Sequence, residues 1–106
     1  SKDVFLNIAG GISVSDPSMD LGIIASILSS SENFNLNSSS CFAGEVGLNG
    51  IIRPIKRIET HINEAEKIGF NRIYISSYNK ISNSKWKIKI IMCEKVEDLY
   101  AELKTC

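Results

Sequence analysis

The segment LGIIASIL, Leu21 to Leu28, spreads apolar side chains around most of a helical circumference. A helix of that kind is buried on more than one face, so it has to lie between other elements of a layered fold. Gly22, Ala25 and Ser26 leave narrow gaps along it where a neighbour can approach closely. Three signals mark its start: Asp16 is able to cap, Pro17 suits the first helical position, and Asp20 complements the positive helix end. The polar run SSSENFNLNSSS ends it.

The flanking segments supply the layers. Val4, Leu6 and Ile8 alternate with Phe5, Asn7 and Ala9 as far as Gly10-Gly11, which predicts a strand. Opening so abruptly on a strand is what a piece of a longer chain would do. CFAGEVGLNGIIRPI predicts a hairpin turning at Asn49-Gly50, where both central residues would need positive φ. Gly44 and Gly47 in its first arm imply a bulge or a close backbone approach. Beyond Pro54, the spacing of Ile58, Ile62 and Ala65 predicts a second helix, closed by Gly69 with Phe70 after it. RIYIS predicts a strand, SYNKISNS a loop and KWKIKIIM another strand. VEDLYAEL predicts a last helix with Val96, Leu99, Tyr100 and Leu103 inward. The order is that of one layered domain over residues 1–106, α/β or α+β in class, with a mixed sheet.

Composition narrows the function classes. Twelve basic side chains balance 12 acidic ones, so no bulk charge drives the chain toward nucleic acid or membrane, and any such partner must meet a local patch. No apolar run is long enough to span a bilayer, and SKDVFLNIAGG lacks the parts of a signal peptide. Cys41, Cys93 and Cys106 are odd in number and far apart, and His61 is the single histidine. That excludes a zinc motif or disulfide framework and favours reduced thiols in a cytoplasm.

The glycine-rich GEVGLNG lacks the Lys-Ser/Thr ending of a phosphate loop and leads into a strand, so it reads as hairpin. In SKWKIKI the period-two alternation puts Lys85, Lys87 and Lys89 on one face, and Trp86, Ile88 and Ile90 on the other. The lysine face is either a solvated, edge-protecting surface or a strip for phosphates, joined by Lys80. RPIKR offers a second basic cluster in Arg53, Lys56 and Arg57, suited to a phosphate or a neighbouring subunit's carboxylate. His61 borders the inward stripe of the second helix, as a hydrogen-bonded core histidine does. It is also the one imidazole available as base to a serine nucleophile, and Ser18 with Asp16, Asp20 and His61 is the only set from which an acyl-transfer site could be built.

LNIAGGISVSDPSMDLGIIASILSS followed by GEVGLNGIIRPIKRIETHINEAEKIGFNRIYIS resembles the C-terminal domain of the bacterial DNA repair family RadA, also called Sms. The shared features are the N-x-x-G-G strand end, the acidic-Pro-x-x-Asp-Leu helix start, the G-E-V-G-L-x-G hairpin with its Arg-Pro pair, and the E-A-x-K-x-G-F helix end. They cover residues 3 to 76. The resemblance implies an α+β, Lon-protease-like fold lacking its first strands, in a chain whose upstream parts carry a zinc motif and a RecA-like ATPase. ATP and zinc are thus expected only upstream, with no cofactor in this domain.

By the same resemblance, Ser18 falls on the nucleophile of the Lon protease dyad and His61 on its lysine. Members of the family commonly have alanine at the serine position, so Ser18 is a departure. Imidazole is shorter than the lysine arm, no acidic partner for His61 is apparent, and Asp16 and Asp20 replace the glycines that flank the protease serine. Carboxylates there oppose a developing oxyanion. The expected function is non-proteolytic: hexamer assembly and contact with single-stranded or branched DNA, within a cytoplasmic ATP-dependent protein that drives branch migration. Arg53, Lys56, Arg57, Lys85, Lys87 and Lys89 are the candidates for DNA or subunit contact, inferred from charge clustering. The alternatives are a serine peptidase using Ser18 and His61, and a pure assembly scaffold without DNA contact.

Overall fold

A computed structural model describes residues 20–32, 39–82 and 85–104. Its elements are α1 (Asp20–Ser31), β1 (Ser40–Ala43), β2 (Glu45–Val46), β3 (Ile52–Arg53), α2 (Ile58–Ile68), β4 (Arg72–Ser76), β5 (Lys89–Cys93) and α3 (Val96–Lys104). They follow the order expected from the sequence. The strand expected over residues 4–9 and the helix start at Asp16 and Pro17 lie outside the described residues. Among the described residues, no helix is long and apolar enough to cross a membrane.

β4 is the axis of the fold. The centre of RIYIS, Ile73 to Ile75, is buried throughout, the pattern of a strand covered on both faces, and the strand pairs in parallel with β1 on one side and β5 on the other. The pleat then divides the core in two. Phe42, Tyr74 and Ile91 are in register and face α1, α3 and the β2–β3 hairpin, packing with Leu21, Ile24, Leu28, Val96 and Leu99. The Phe42 and Tyr74 rings stack at 5.0 Å, an arrangement worth about 1 kcal/mol beyond the area it buries. Ala43, Ile73, Ile75 and Ile90 face the other way, onto Ile58, Ile62 and Ala65 of α2. α1 is less enclosed than its sequence predicts. Leu21, Ile24, Ala25 and Leu28 are buried, but Ile23 and Ile27 are half-covered by the described residues.

The expected hairpin is real but smaller, and the mixed sheet is two sheets. Ser40–Ala43 leaves the hairpin to pair in parallel with β4, while β2 and β3 pair antiparallel, Glu45 against Arg53 and Val46 against Ile52. Gly44 stands at the division. Its carbonyl accepts the Leu21 N–H at 3.1 Å. A Cβ there would lie 3.1 Å from Ile52 Cγ2 and 3.2 Å from Leu21 Cδ2, so any larger residue would press on both side chains. The turn is a three-residue loop, Leu48–Gly50, and not a two-residue one. The Gly50 N–H bonds the Gly47 carbonyl, and the Gly47 N–H bonds the Ile51 carbonyl. Only Gly50, at φ 82°, is left-handed there. Asn49 instead uses its side chain, accepting the Ile51 N–H at 3.2 Å. β3 is fastened to the parallel sheet by Ser76, whose buried hydroxyl donates to the Ile52 carbonyl at 2.8 Å.

α2 ends as predicted: the Phe70 N–H reaches the Ala65 carbonyl at 3.0 Å and the Gly69 N–H the Glu66 carbonyl at 3.1 Å, with Gly69 left-handed. Its start was not predictable. Arg57 is left-handed at φ 58°, ψ 40°, a conformation costing a non-glycine residue about 1–2 kcal/mol. The Arg57 carbonyl accepts from Thr60 N–H at 3.0 Å, His61 N–H at 3.3 Å and His61 Nδ1 at 3.1 Å, which offsets that cost.

The route from β4 to β5 contains no helix among its described residues, and α2 side chains satisfy its polar groups instead. Glu59 accepts from the Ser82 N–H at 2.7 Å and its hydroxyl at 3.1 Å, and Asn63 accepts from the Trp86 indole at 2.7 Å. Glu66 accepts from the N–H groups of Lys87 and Ile88. Those N–H groups are thereby withdrawn from strand pairing, so β5 begins at Lys89, later than the sequence predicts. The alternation of side chains persists: Trp86, Ile88 and Ile90 pack toward α2, and Lys85, Lys87 and Lys89 are exposed.

Two predictions follow the packing. Glu66→Ala strands two N–H groups and is expected to destabilise the fold by about 2 kcal/mol, read by chemical denaturation, whereas Lys67→Ala on the exposed side is neutral. Burial raises the Cys41 thiol to about 11, and burial with nearby Glu102 and Asp98 raises Cys93 to about 12. In a Cys106→Ser chain both thiols therefore stay protonated at pH 7.5 and alkylate far more slowly than free cysteine, with the Cys41 rate climbing as pH approaches 11. Rapid folded-state labelling of Cys41 at pH 7.5 would contradict the packing.

Candidate nucleic-acid interface

Parallel strands give the sheet a polarity, and the two basic clusters of the sequence fall at its opposite ends. Lys89 opens β5 in register with Arg72, which opens β4. Lys85 and Lys87, held beside the α2 C-terminal half through Glu66, belong to that same end. Arg53, Lys56 and Arg57 lie at the other, where the strands finish. Ile52 there is bonded to Ser76, the last residue of β4, and to Glu94, just past β5. All six side chains are exposed. A strand of this length spans roughly 16 Å, more than a Debye length at physiological salt. The clusters therefore act as separate fields.

The environments of the two clusters differ. Arg53 faces Glu45 at 3.8 Å, an exposed pair across the hairpin that partly neutralises it. Lys56 and Arg57 precede the positive end of α2 and have no ion-pair partner among the described residues. The sequence associates Lys80 with the Lys85–Lys89 strip; in the structure the chain on either side of it is tied to the segment that carries Lys56 and Arg57. Asn79 is buried, and its amide bonds both backbone groups of Ile55, accepting from the N–H at 3.4 Å and donating to the carbonyl at 3.0 Å. Ser82 is in turn bonded to Glu59. The exposed Lys80 thus lies on a stretch of chain anchored at both ends to residues 55–59.

The other set of candidates is only half described. Ser18 and Asp16 lie outside the described residues. Asp20 is buried in the first turn of α1, where Oδ2 accepts the Val46 N–H at 3.2 Å, so it joins helix to hairpin. His61 is half-buried on α2 and borders a groove of about 290 Å³ between α2 and β1, lined by Cys41, Phe42, Thr60, Glu64, Ile68 and Phe70 among others. A carbonyl only accepts, so Nδ1 is the donor in the contact with Arg57.

Sequence reasoning identified the charged side chains but missed Asn79, Glu59 and Glu66, which position them. Nothing distinguishes Asn79 from other polar residues of its loop. Glu59 and Glu66 do share one side of α2 with Asn63, a spacing visible in the sequence but usual for a solvated helix face.

Comparison with known proteins places this architecture. The family model described as subunit ChlI of Mg-chelatase matches residues 1–79. DNA repair protein RadA of Listeria monocytogenes is 39% identical over 105 residues, 98% of this chain and 22% of the relative. The RadA proteins of Bacillus subtilis and Rickettsia typhi are 43% identical over 79 residues and 37% over 102, covering 74% and 96% of this chain. The chain spans 17% to 22% of the length of these relatives. The chain belongs to the family described as subunit ChlI of Mg-chelatase, and it corresponds to a segment of the DNA repair proteins named RadA.

Proposed function

We propose that this chain is the Lon-protease-like C-terminal domain of a RadA-type, ATP-dependent DNA repair and recombination protein, and that it contacts DNA and helps assemble a hexameric ring without cutting peptides. The observation that carries the reading is the 39% identity along 98% of the chain to a protein named for DNA repair. ATP hydrolysis and zinc binding belong to upstream segments of the whole protein, which works on recombination intermediates in the cytoplasm. The exposed basic side chains at the two ends of the sheet supply charge for phosphates or for carboxylates of a neighbouring subunit.

The reading is tested on the full-length protein with fluorescent single-stranded and forked DNA across a salt series, beside light scattering for ring size. DNA affinity that falls steeply with salt is expected, with weakening when at least one of the two basic sets, Arg53, Lys56 and Arg57 or Lys85, Lys87 and Lys89, is changed to Glu. If affinity and salt slope survive both replacements, the domain does not contact DNA through these residues. A hexamer that persists would then leave the assembly role alone.

The peptidase alternative makes its own prediction. A serine-reactive phosphonate should leave Ser18 unmodified, and Ser18→Ala should leave DNA binding unchanged. An adduct on Ser18 that disappears with His61→Ala would establish the dyad instead.

A further inference from the structure

The geometry points to one preorganised phosphate-binding surface at the strand C-terminal end, made of Lys56, Arg57 and Lys80 and positioned by Asn79. This inference rests on the DNA-contact reading and assigns that contact to one end of the sheet. The three cations come from two stretches of chain 24 positions apart that one buried amide ties together through Ile55. A second tie, from Ser82 to Glu59, closes the bracket around Lys80. Arg57 is fixed in its turn as well, since three donors converge on the carbonyl of a left-handed residue.

Such fixing matters for a polyanion. A loose lysine loses side-chain and loop freedom on binding, whereas a backbone already held in place loses only rotamer freedom. The positive end of α2 adds to the field of the cations. One carboxylate, Glu59, lies in the first turn of α2, and both of its oxygens are engaged by Ser82. Arg53 is nearby but faces Glu45, so it contributes less. At the far end of the sheet the backbone of Lys87 and Lys89 is held as well, by Glu66 and by the Asn71 carbonyl, but those lysines stand beside the negative half of α2 and the Glu66 carboxylate, both of which oppose a polyanion there.

The test is the salt dependence of DNA binding by the full-length protein. Replacing Lys56, Arg57 and Lys80 together by Gln is expected to flatten the plot of log affinity against log salt by about 2.7 for duplex DNA, or about 2.1 for single strands. The triple Lys85→Gln, Lys87→Gln, Lys89→Gln leaves it unchanged. Asn79→Ala weakens binding severalfold with all charges retained. It has no further effect in the Lys56, Arg57, Lys80 background, a non-additivity that a merely structural role would not show. If Asn79→Ala does not fold, the exposed charge replacements still decide. A wild-type slope in the Lys56, Arg57, Lys80 variant, or a loss carried by the other triple, overturns this assignment and leaves the DNA-contact reading standing. No salt-dependent binding by the wild-type protein overturns both.

Discussion

A parallel pair of strands joined, over its described residues, without a helix leaves the connecting backbone with no ladder of its own, and buried or half-buried N–H and C=O groups must find partners. In this domain that requirement falls on α2. Its Glu59, Asn63 and Glu66 take up the stretch between β4 and β5, while Asn79 reaches back to the segment that leads into α2. The helix thus does two jobs. One stripe, Ile58, Ile62 and Ala65, covers the sheet, and the neighbouring stripe of carboxylates and amide replaces the missing crossover helix.

The arrangement also sets where charge can appear. The acidic α2 side chains Glu59 and Glu66 accept from neutral donors and hold loops in place while keeping their charge. The zero formal charge of the chain nevertheless divides into basic clusters at both ends of the sheet. At the end where the strands finish, cations, the α2 dipole and a strained but well-bonded turn coincide. Open α/β sheets commonly bind ligands at that end, because loops and helix N-termini converge there.

Much of the fold is legible in the sequence. The stripe of α2, its Gly69 ending, the buried RIYIS strand and the inward face of α3 all follow from periodicity and one cap. The failures share a cause. The early start predicted for β5 came from an alternation that is real in side-chain exposure, while Glu66, distant in sequence, decides which backbone groups pair. Asn49-Gly50 looks like a two-residue turn, but three residues fit the separation of β2 and β3 and need only Gly50 to be left-handed. The charged candidates were visible as residue types, yet the grouping of Lys80 with Lys56 and Arg57 depends on a long-range amide bond that no local pattern encodes.

His61 illustrates how a residue can be read two ways until its partner is known. Viewed by position it stands where a dyad base would be, and viewed by spacing it edges a core stripe. The bond from Nδ1 to the Arg57 carbonyl gives it a third duty, since that carbonyl belongs to the left-handed residue from which the basic surface projects. A base for a serine also needs its Nε2 free and aligned, which the same bond permits without supplying a carboxylate to stabilise imidazolium. Losing His61 would loosen the Arg57 turn as well as any dyad. Its substitution alone therefore cannot separate chemistry from DNA contact.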